Sequence, residues 1–509
     1  MREYKKKKIL QTVNSLIETN EAVEKGIKTN PQMVADTLGS CQEAALVMGT
    51  YLETFGGEYA PLVRTLEDYC ENLYQVSVNS SDETLCRGLL EKIRKQLEWL
   101  GEEVRKKLPD DRKEVVFLPY KASMWDSLET IWKAAKADPA VDALVIPIPY
   151  YSKNPDGSLR EAHYEGDRYP DYVPVMDYKE YDFKERRPDI TFIHNPYDNG
   201  NKLITVHPSF FSYNLKKYTE KLVYVPYYVV PWSVPEDYIV TAGVAFADLV
   251  FVQSETIKKQ YVKTLGTKLY HGENKCLENK IIALGSPKTD KVLLEKKNGA
   301  QIPEEWKRRA GDRKIVFFNT NVSLLLNNGT YFIENLYRIF HIFETYKEKF
   351  VLLWREHPLT MEMLHSMFPD LLSGYQELRR KFQEKRWGIL DETAEPHLAM
   401  AVSDCYFGAG GSLVTIYSAT GKPMLVTAYH YPEEISEKEI TKEEFYASLG
   451  KRSYYKEQNV NALRLFLENY EEIAEWKEHR IEVVSERLAN LDGTVGKKIY
   501  QYVMDEGEI

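Results

Sequence analysis

A chain of 509 residues is longer than one hydrophobic core supports, and about three domains is the natural division. Its 43% apolar and 28% charged residues suit packed cores under an ordinary surface, while a net charge of -10 excludes a general nucleic-acid binder, which carries a basic footprint. Five scattered cysteines without a CxxC pair suit reduced thiols in a cytoplasmic protein better than a disulfide framework or a zinc site, and with no His/Cys/Asp cluster at metal spacing no metal is expected.

Lys5 to Lys8 form a basic cluster, but no apolar signal segment follows, and no run reaches the ~20 apolar residues of a membrane span. An isolated cluster is a weak anchor, so it reads as a solvated helix start with room for peripheral contact with the inner face of a membrane. Residues 1–110 are predicted to be an α-helical domain of about four helices. Leu89, Leu90, Ile93, Leu97, Leu100 and Val104 recur at three- and four-residue steps, and Asn30-Pro31 and Asn79 to Asp82 carry helix-break signals. This domain is a candidate docking surface for a protein partner. Leu108 to Arg112 is a turn-rich linker out of it.

The rhythm then changes to short apolar runs alternating with helical segments, the pattern of parallel sheets covered on both faces. Over 111–295 strands are predicted at Glu114–Leu118, Ala143–Pro147, Ile190–Ile193, Leu222–Val225, Leu249–Val252 and Lys280–Leu284, with a helix from Ser127 to Lys136. Ser152 to Arg187 reads as a long polar loop of functional or mobile character. Lys291 to Asp312 reads as a hinge. The alternation restarts over 296–460, with strands at Lys314–Phe318, Phe350–Trp354, Gly388–Leu390, Cys405–Phe407 and Met424–Val426. Residues 461–509 form a helical tail, helical from Asn461 to Met504. The predicted class is α/β: two Rossmann-like lobes preceded by an α-helical N-terminal domain.

Residues just past the C-terminal ends of parallel strands face the ligand edge. In the second lobe these are Asn319, then Arg355 and His357, then the glycine-rich turn Gly408 to Ser412 opening a helix Leu413–Thr420. Free N–H groups of Gly410 and Gly411, the Ser412 hydroxyl and the Arg355 fork suit a diphosphate, with Lys288 as a further point charge. In the first lobe His194 is the candidate general base for an acceptor hydroxyl, His207 a substitute, and Asp126 a runner-up carboxylate. Each has a purely structural counterpart: Arg355 paired with a carboxylate, His194 hydrogen-bonded beside Asn195-Pro196, Asp126 capping a helix, and glycines present for packing. There is neither a Walker lysine nor a dinucleotide fingerprint, so no bound cofactor is expected beyond a nucleotide-activated donor.

These motifs resemble the CDP-glycerol glycerophosphotransferases, the teichoic-acid polymerase family of Gram-positive bacteria. The resemblance covers roughly Lys113 to Thr427 and rests on Gly285-x-Pro287-Lys288-x-Asp290, on His357-Pro358, and on the turn through Ser412 to Lys422-Pro423. It implies the GT-B architecture of two facing lobes, a donor pyrophosphate on His357 and Ser412, and His194 as the base. The implied reaction moves glycerol phosphate from CDP-glycerol, or a related CDP-polyol, to a polyol or glycan acceptor in cell-wall polymer synthesis. Gly408 to Ser412 stands where that family carries an acidic-aromatic-Ser-Ser turn and is more like the phosphate turn of sugar-nucleotide enzymes. A UDP-sugar glycosyltransferase or epimerase therefore stays as one alternative, and a non-catalytic nucleotide-binding assembly protein as another.

Overall fold

The computed structural model describes residues 3–26, 31–54, 56–107, 112–270, 275–297, 299–393, 395–427, 441–451, 455–456 and 460–505. Asn30 and most of the predicted linker, 108–111, lie outside them. The chain divides into two compact units, 1–114 with 139–142, and 115–138 with 143–509.

Among its described residues the first unit holds four α-helices, α1 (Glu3–Gly26), α2 (Pro31–Glu53), α3 (Ala60–Val78) and α4 (Glu83–Lys107). Each turns one apolar stripe inward, as an amphipathic sequence requires. Leu90, Ile93, Leu97, Leu100 and Val104 of α4 are buried with Val13 and Leu16 of α1, Leu38 and Ala45 of α2, and Leu66 and Leu73 of α3. The predicted break at 79–82 is a turn in which Asp82 accepts the Leu85 N–H at 3.0 Å, an N-cap for α4. Among the described residues no helix is long and apolar enough to cross a membrane.

Among the described residues the second unit is built on two six-stranded sheets, with a small three-stranded sheet inserted into the first lobe. Lobe one contains β1 (Lys113–Leu118), α5 (Glu129–Lys136), β2 (Val141–Val145), β3 (Tyr150–Lys153), β4 (Leu159–His163), β5 (Ile190–Ile193), β6 (Ile204–Val206), β7 (Lys221–Tyr224), β8 (Leu249–Val252) and β9 (Ile281–Ala283). Its main sheet runs β2-β1-β5-β7-β8-β9, parallel from β1 to β9. Lobe two contains β10 (Lys314–Asn319), β11 (Phe350–Arg355), β12 (Gly388–Leu390), β13 (Cys405–Ala409), β14 (Met424–Thr427) and β15 (Tyr455–Lys456). Its order is β12-β11-β10-β13-β14-β15, parallel throughout, which is the Rossmann order 3-2-1-4-5-6. The α/β class with two Rossmann-like lobes of the GT-B type, behind a helical N-terminal region, is thus the observed architecture.

Four expectations are corrected. The predicted loop Ser152 to Arg187 is partly ordered as sheet: its Ser152–Lys153 start belongs to β3, and β4 pairs antiparallel with β3, as does β6 from beyond it. The predicted helix Ser127 to Lys136 is a 3-10 turn, Ala122–Ser127, followed by the shorter α5. The predicted hinge begins inside a helix, Pro287–Lys297, which packs against α5 of lobe one and against helices His397–Val402 and Ser412–Ser418 of lobe two. The helical tail is present, but β15 precedes it as an extra edge strand, and its last helix, Val495–Asp505, returns to pack on α5.

Candidate functional site

In lobe two the strand order reverses between β10 and β13, and ligands of open α/β sheets bind at such a switch, beyond the strands' C-terminal ends. Asn319 of β10 is in register with both Arg355 of β11 and Gly408 of β13, so three of the residues singled out in the sequence form one row. Gly408 is demanded by packing. At φ +143° a Cβ there would lie 2.3 Å from the Asn319 carbonyl oxygen, so only glycine lets β13 approach β10 at this level. Past the row, Asn321 ties the two turns together. Its Oδ1 accepts the Leu324 N–H at 3.1 Å, capping helix Val322–Asn328, and its Nδ2 donates to the Gly410 carbonyl at 3.2 Å. With that carbonyl engaged, the turn Gly410-Gly411-Ser412 is left to present N–H groups. Helix Ser412–Ser418 has Gly411 as its N-cap with no side-chain cap, and Ser412 is exposed. The turn is two residues shorter than predicted, because Gly408 and Ala409 belong to β13.

Arg355 and His357 differ in how they meet this edge. Arg355 closes β11 rather than opening a turn, and its Nη1 donates to Asp391 at 2.8 Å and to Thr393 Oγ1 at 3.2 Å. The Asp391 side chain is 0% exposed, so the ion pair is buried and one arm of the guanidinium is committed to it. His357 is half-buried, and its Nδ1 accepts the Leu359 N–H at 3.2 Å. That places the neutral ring's proton on Nε2, a donor, and burial holds the imidazole's pKa below its ordinary value.

Lobe one has the order 2-1-3-4-5-6 for its main strands, with its switch between β1 and β5. His194 follows β5 at that switch, as expected, but its ring is not at a surface. It is 0% exposed; Nε2 accepts the Tyr120 N–H at 3.1 Å, and Nδ1 lies 3.0 Å from Ser127 Oγ, which itself donates to the Met124 carbonyl. Burial, reinforced by the nearby Lys288, pushes its pKa down to about 3 against the weaker pull of Asp126. The assignment of His194 as an acceptor-facing base is therefore corrected: both ring nitrogens are engaged, one with the backbone past β1 and the other with the 3-10 turn. His207 is half-buried, with Nδ1 accepting the Ser209 N–H at 3.3 Å.

Lys288 and Asp126, predicted for different roles, meet each other: Lys288 Nζ lies 2.5 Å from Asp126 Oδ1. Asp126 sits inside the 3-10 turn instead of capping α5. Its burial would raise the carboxyl pKa, but Lys288 and His397 outweigh that and hold it well below the usual carboxylate range. It is thus neither a free base nor a cap, and Lys288 is no unpaired phosphate ligand. His397 and Asp391 carried no sequence signal beyond their residue types, because their partners lie on other elements. Asn321 belongs to the polar turn Asn319-Thr320-Asn321 that the sequence aims at this edge, and its capping role fits an Asn just past a strand and ahead of an apolar helical run. Among the described residues no group of His, Cys, Asp and Glu suits a metal ion.

No protein-family model matches the chain, and no curated protein matches it in sequence. Among solved structures it is similar to the UDP-GlcNAc 2-epimerase of Methanocaldococcus jannaschii, at 13% identity and TM-score 0.48, covering 77% of this chain and 99% of that one. It is also similar to the UDP-GlcNAc 2-epimerase of Neisseria meningitidis bound to UDP-GlcNAc, at 12% identity and TM-score 0.45, covering 77% and 100%. A third is the wall teichoic acid polymerase TagF soaked with CDPG, at 14% identity and TM-score 0.45, covering 78% and 88%. At these identities and scores the likeness carries nothing about activity or ligand.

Proposed function

We propose that this chain is a GT-B-type transferase that holds a nucleotide-activated donor by its diphosphate at the switch point of lobe two. The observation that carries the reading is the convergence, at the crevice of a Rossmann-ordered sheet, of the uncapped turn Gly410-Gly411-Ser412 with the Asn319 and Asn321 strand end and the half-buried His357. Amide N–H groups, a serine hydroxyl and a neutral imidazole N–H are all donors, and phosphate oxygens are acceptors. The Arg355 fork, steadied by Asp391, adds a fixed positive charge beside them.

The donor favoured by the motifs is CDP-glycerol or a related CDP-polyol. An acceptor hydroxyl would attack the phosphorus bearing glycerol, the bond to the bridging oxygen would break, and CMP would leave with that oxygen. Donors fixed around the phosphoryl oxygens supply positioning and charge stabilisation, the main contributions in such transfers. Neither His194 nor Asp126 is placed to take the acceptor's proton, so the reading rests on the donor side.

Thermal unfolding with CDP-glycerol, CDP-ribitol, UDP-glucose, UDP-N-acetylglucosamine, CMP and UMP tests it. A ligand at a hundred times its Kd stabilises by about 2.7 kcal/mol. A response to CDP compounds, with CMP released on turnover, is expected. A response to UDP-sugars alone replaces polyol-phosphate transfer with sugar chemistry; binding without turnover favours an assembly protein; no response to any nucleotide overturns the proposal.

A further inference from the structure

At the seam between the lobes, His397 opens helix His397–Val402 of lobe two and is only 4% exposed. Its Nε2 lies 3.3 Å from Asp126 Oδ2 of lobe one, and its Nδ1 lies 3.6 Å from Glu395 Oε2. A neutral imidazole has one N–H, so one of these carboxylates would face a ring lone pair in a poorly solvated place. The imidazolium has an N–H for each. Both contacts are at ion-pair distance, so the ring is held chiefly by charge.

The surrounding charges are few and identifiable. Lys288 takes the other oxygen of Asp126; Lys291, on the same helix, reaches both Glu395 and Glu129, the latter at 3.1 Å; Lys133 and Tyr172 complete Glu129; and neutral His194 lies close to Asp126 and Lys288. Burial and Lys291 oppose a charge on His397, Asp126 and Glu395 favour it, and the carboxylates prevail. Among the described residues two ion pairs therefore cross the seam, Asp126–His397 and Lys291–Glu395, and of these the first contains a group that titrates near neutrality.

We infer that His397 is a proton-held clasp between the lobes, closed while its imidazolium bridges Asp126 and Glu395 and released when the proton leaves. The clasp sits seven residues beyond β12, at the same C-terminal edge as Asp391, so its release alters how far the two ligand edges stand apart.

The test is an interlobe distance against pH in the full-length protein, read by pulsed EPR from labels on exposed Cys276 of lobe one and on Glu348→Cys in lobe two, with Cys70→Ser to silence the half-buried thiol. Wild type should give one distance near pH 6 and a second, longer one growing in as the pH is raised past the ordinary imidazole range. Glu395→Gln removes one of the two carboxylates and should move that transition down by roughly 1 pH unit. His397→Gln should show the longer distance already near pH 6, with no transition. A wild-type distance that does not move, or a transition that Glu395→Gln leaves in place, overturns the clasp, whether or not His397→Gln folds. No ligand or turnover enters the measurement, so it stands or falls apart from the transferase reading.

Discussion

The Tyr120 N–H donates to His194 Nε2 across 3.1 Å, and this bond joins the ends of two neighbouring strands, β1 and β5, at the switch point of lobe one. A backbone donor on Nε2 and Ser127 on Nδ1 leave the ring no vacancy for a substrate proton. The residue that sequence position marks as a catalytic base is a fastener of the crevice floor.

His194 should therefore show itself in stability before activity. Its pKa is about 3 in the fold and near 6.5 in the unfolded chain, so between these values the unfolded chain binds the extra proton and stability falls as pH drops. From pH 7 to pH 5 this slope is worth about 2 kcal/mol. His194→Asn keeps an acceptor for Tyr120 and removes the titration, so its urea midpoint should fall less over that interval than the wild-type midpoint. Equal falls would remove His194 from the acid limb.

Gly408 and Ser412 separate fold from ligand binding in one turn. Gly408→Ala sets a methyl against the backbone of Asn319, 2.3 Å from its oxygen and 2.8 Å from its nitrogen, at a φ that alanine resists. Relief requires parting β10 from β13, so a loss of roughly 3 kcal/mol or more is expected, read as a lowered unfolding temperature. Ser412→Ala, on an exposed side chain that caps nothing, should leave that temperature in place and weaken donor binding by about 1 kcal/mol. Unchanged donor affinity in Ser412→Ala would take the hydroxyl out of the site.

His357 tests whether the donor is held by a neutral group. Burial lowers its pKa, so above about pH 6.5 the ring is uncharged and donates through Nε2. Donor affinity measured by calorimetry should then be flat from pH 7 to pH 9, and His357→Ala should lose about tenfold at every pH, the equivalent of 1–1.5 kcal/mol. An affinity that declines through pH 6 to 7.5 would instead mark the imidazolium as the binding form.

Arg355→Ala strands a carboxylate. Asp391 retains Thr393 as a partner but loses its counter-ion at a buried position, a change that costs roughly 3–5 kcal/mol. A drop in unfolding temperature larger than that of His357→Ala is the expected sign, and equal temperatures would place Asp391 in better contact with solvent than its burial implies.

The parallel strands were legible because each is a continuous apolar run, and a run buried on both faces needs nothing beyond its own composition. β15 and the inserted β3, β4 and β6 escaped, since such short strands owe their pairing to neighbours and β4 is largely exposed. The strand-end positions of the candidate residues were legible as places: Asn319, Arg355, His357, Gly410 to Ser412, His194 and Lys288 all lie past, or at, the ends of strands. What each side chain does there depends on partners tens to hundreds of residues away. Lys288 meets Asp126, Arg355 meets Asp391 and His397 meets Asp126, and no local spacing encodes such pairs.

The Gly285 to Asp290 segment owes its residue types to the C-terminal helix more than to any ligand. A Cβ on Gly285, at φ +101°, would lie 2.4 Å from the Ala489 carbonyl oxygen, so glycine is what admits the returning chain. Asp290 then accepts the Val495 N–H at 3.0 Å, the Gly496 N–H at 2.7 Å and the Thr130 hydroxyl at 2.9 Å, capping helix Val495–Asp505 from another element and binding it to α5. Gly496 has no room for a side chain, since its Cβ would fall 2.2 Å from Thr130 Oγ1. Asp290→Ala leaves these donors unsatisfied in a buried place, and hydrogen bonds to a charged acceptor are worth about 1.5–3 kcal/mol. Hydrogen exchange over 495–505 should accelerate at least tenfold, with exchange over β10 to β14 unaffected. If the helix keeps its protection, Asp290 is not what holds it, and the motif must be explained by the ligand edge after all.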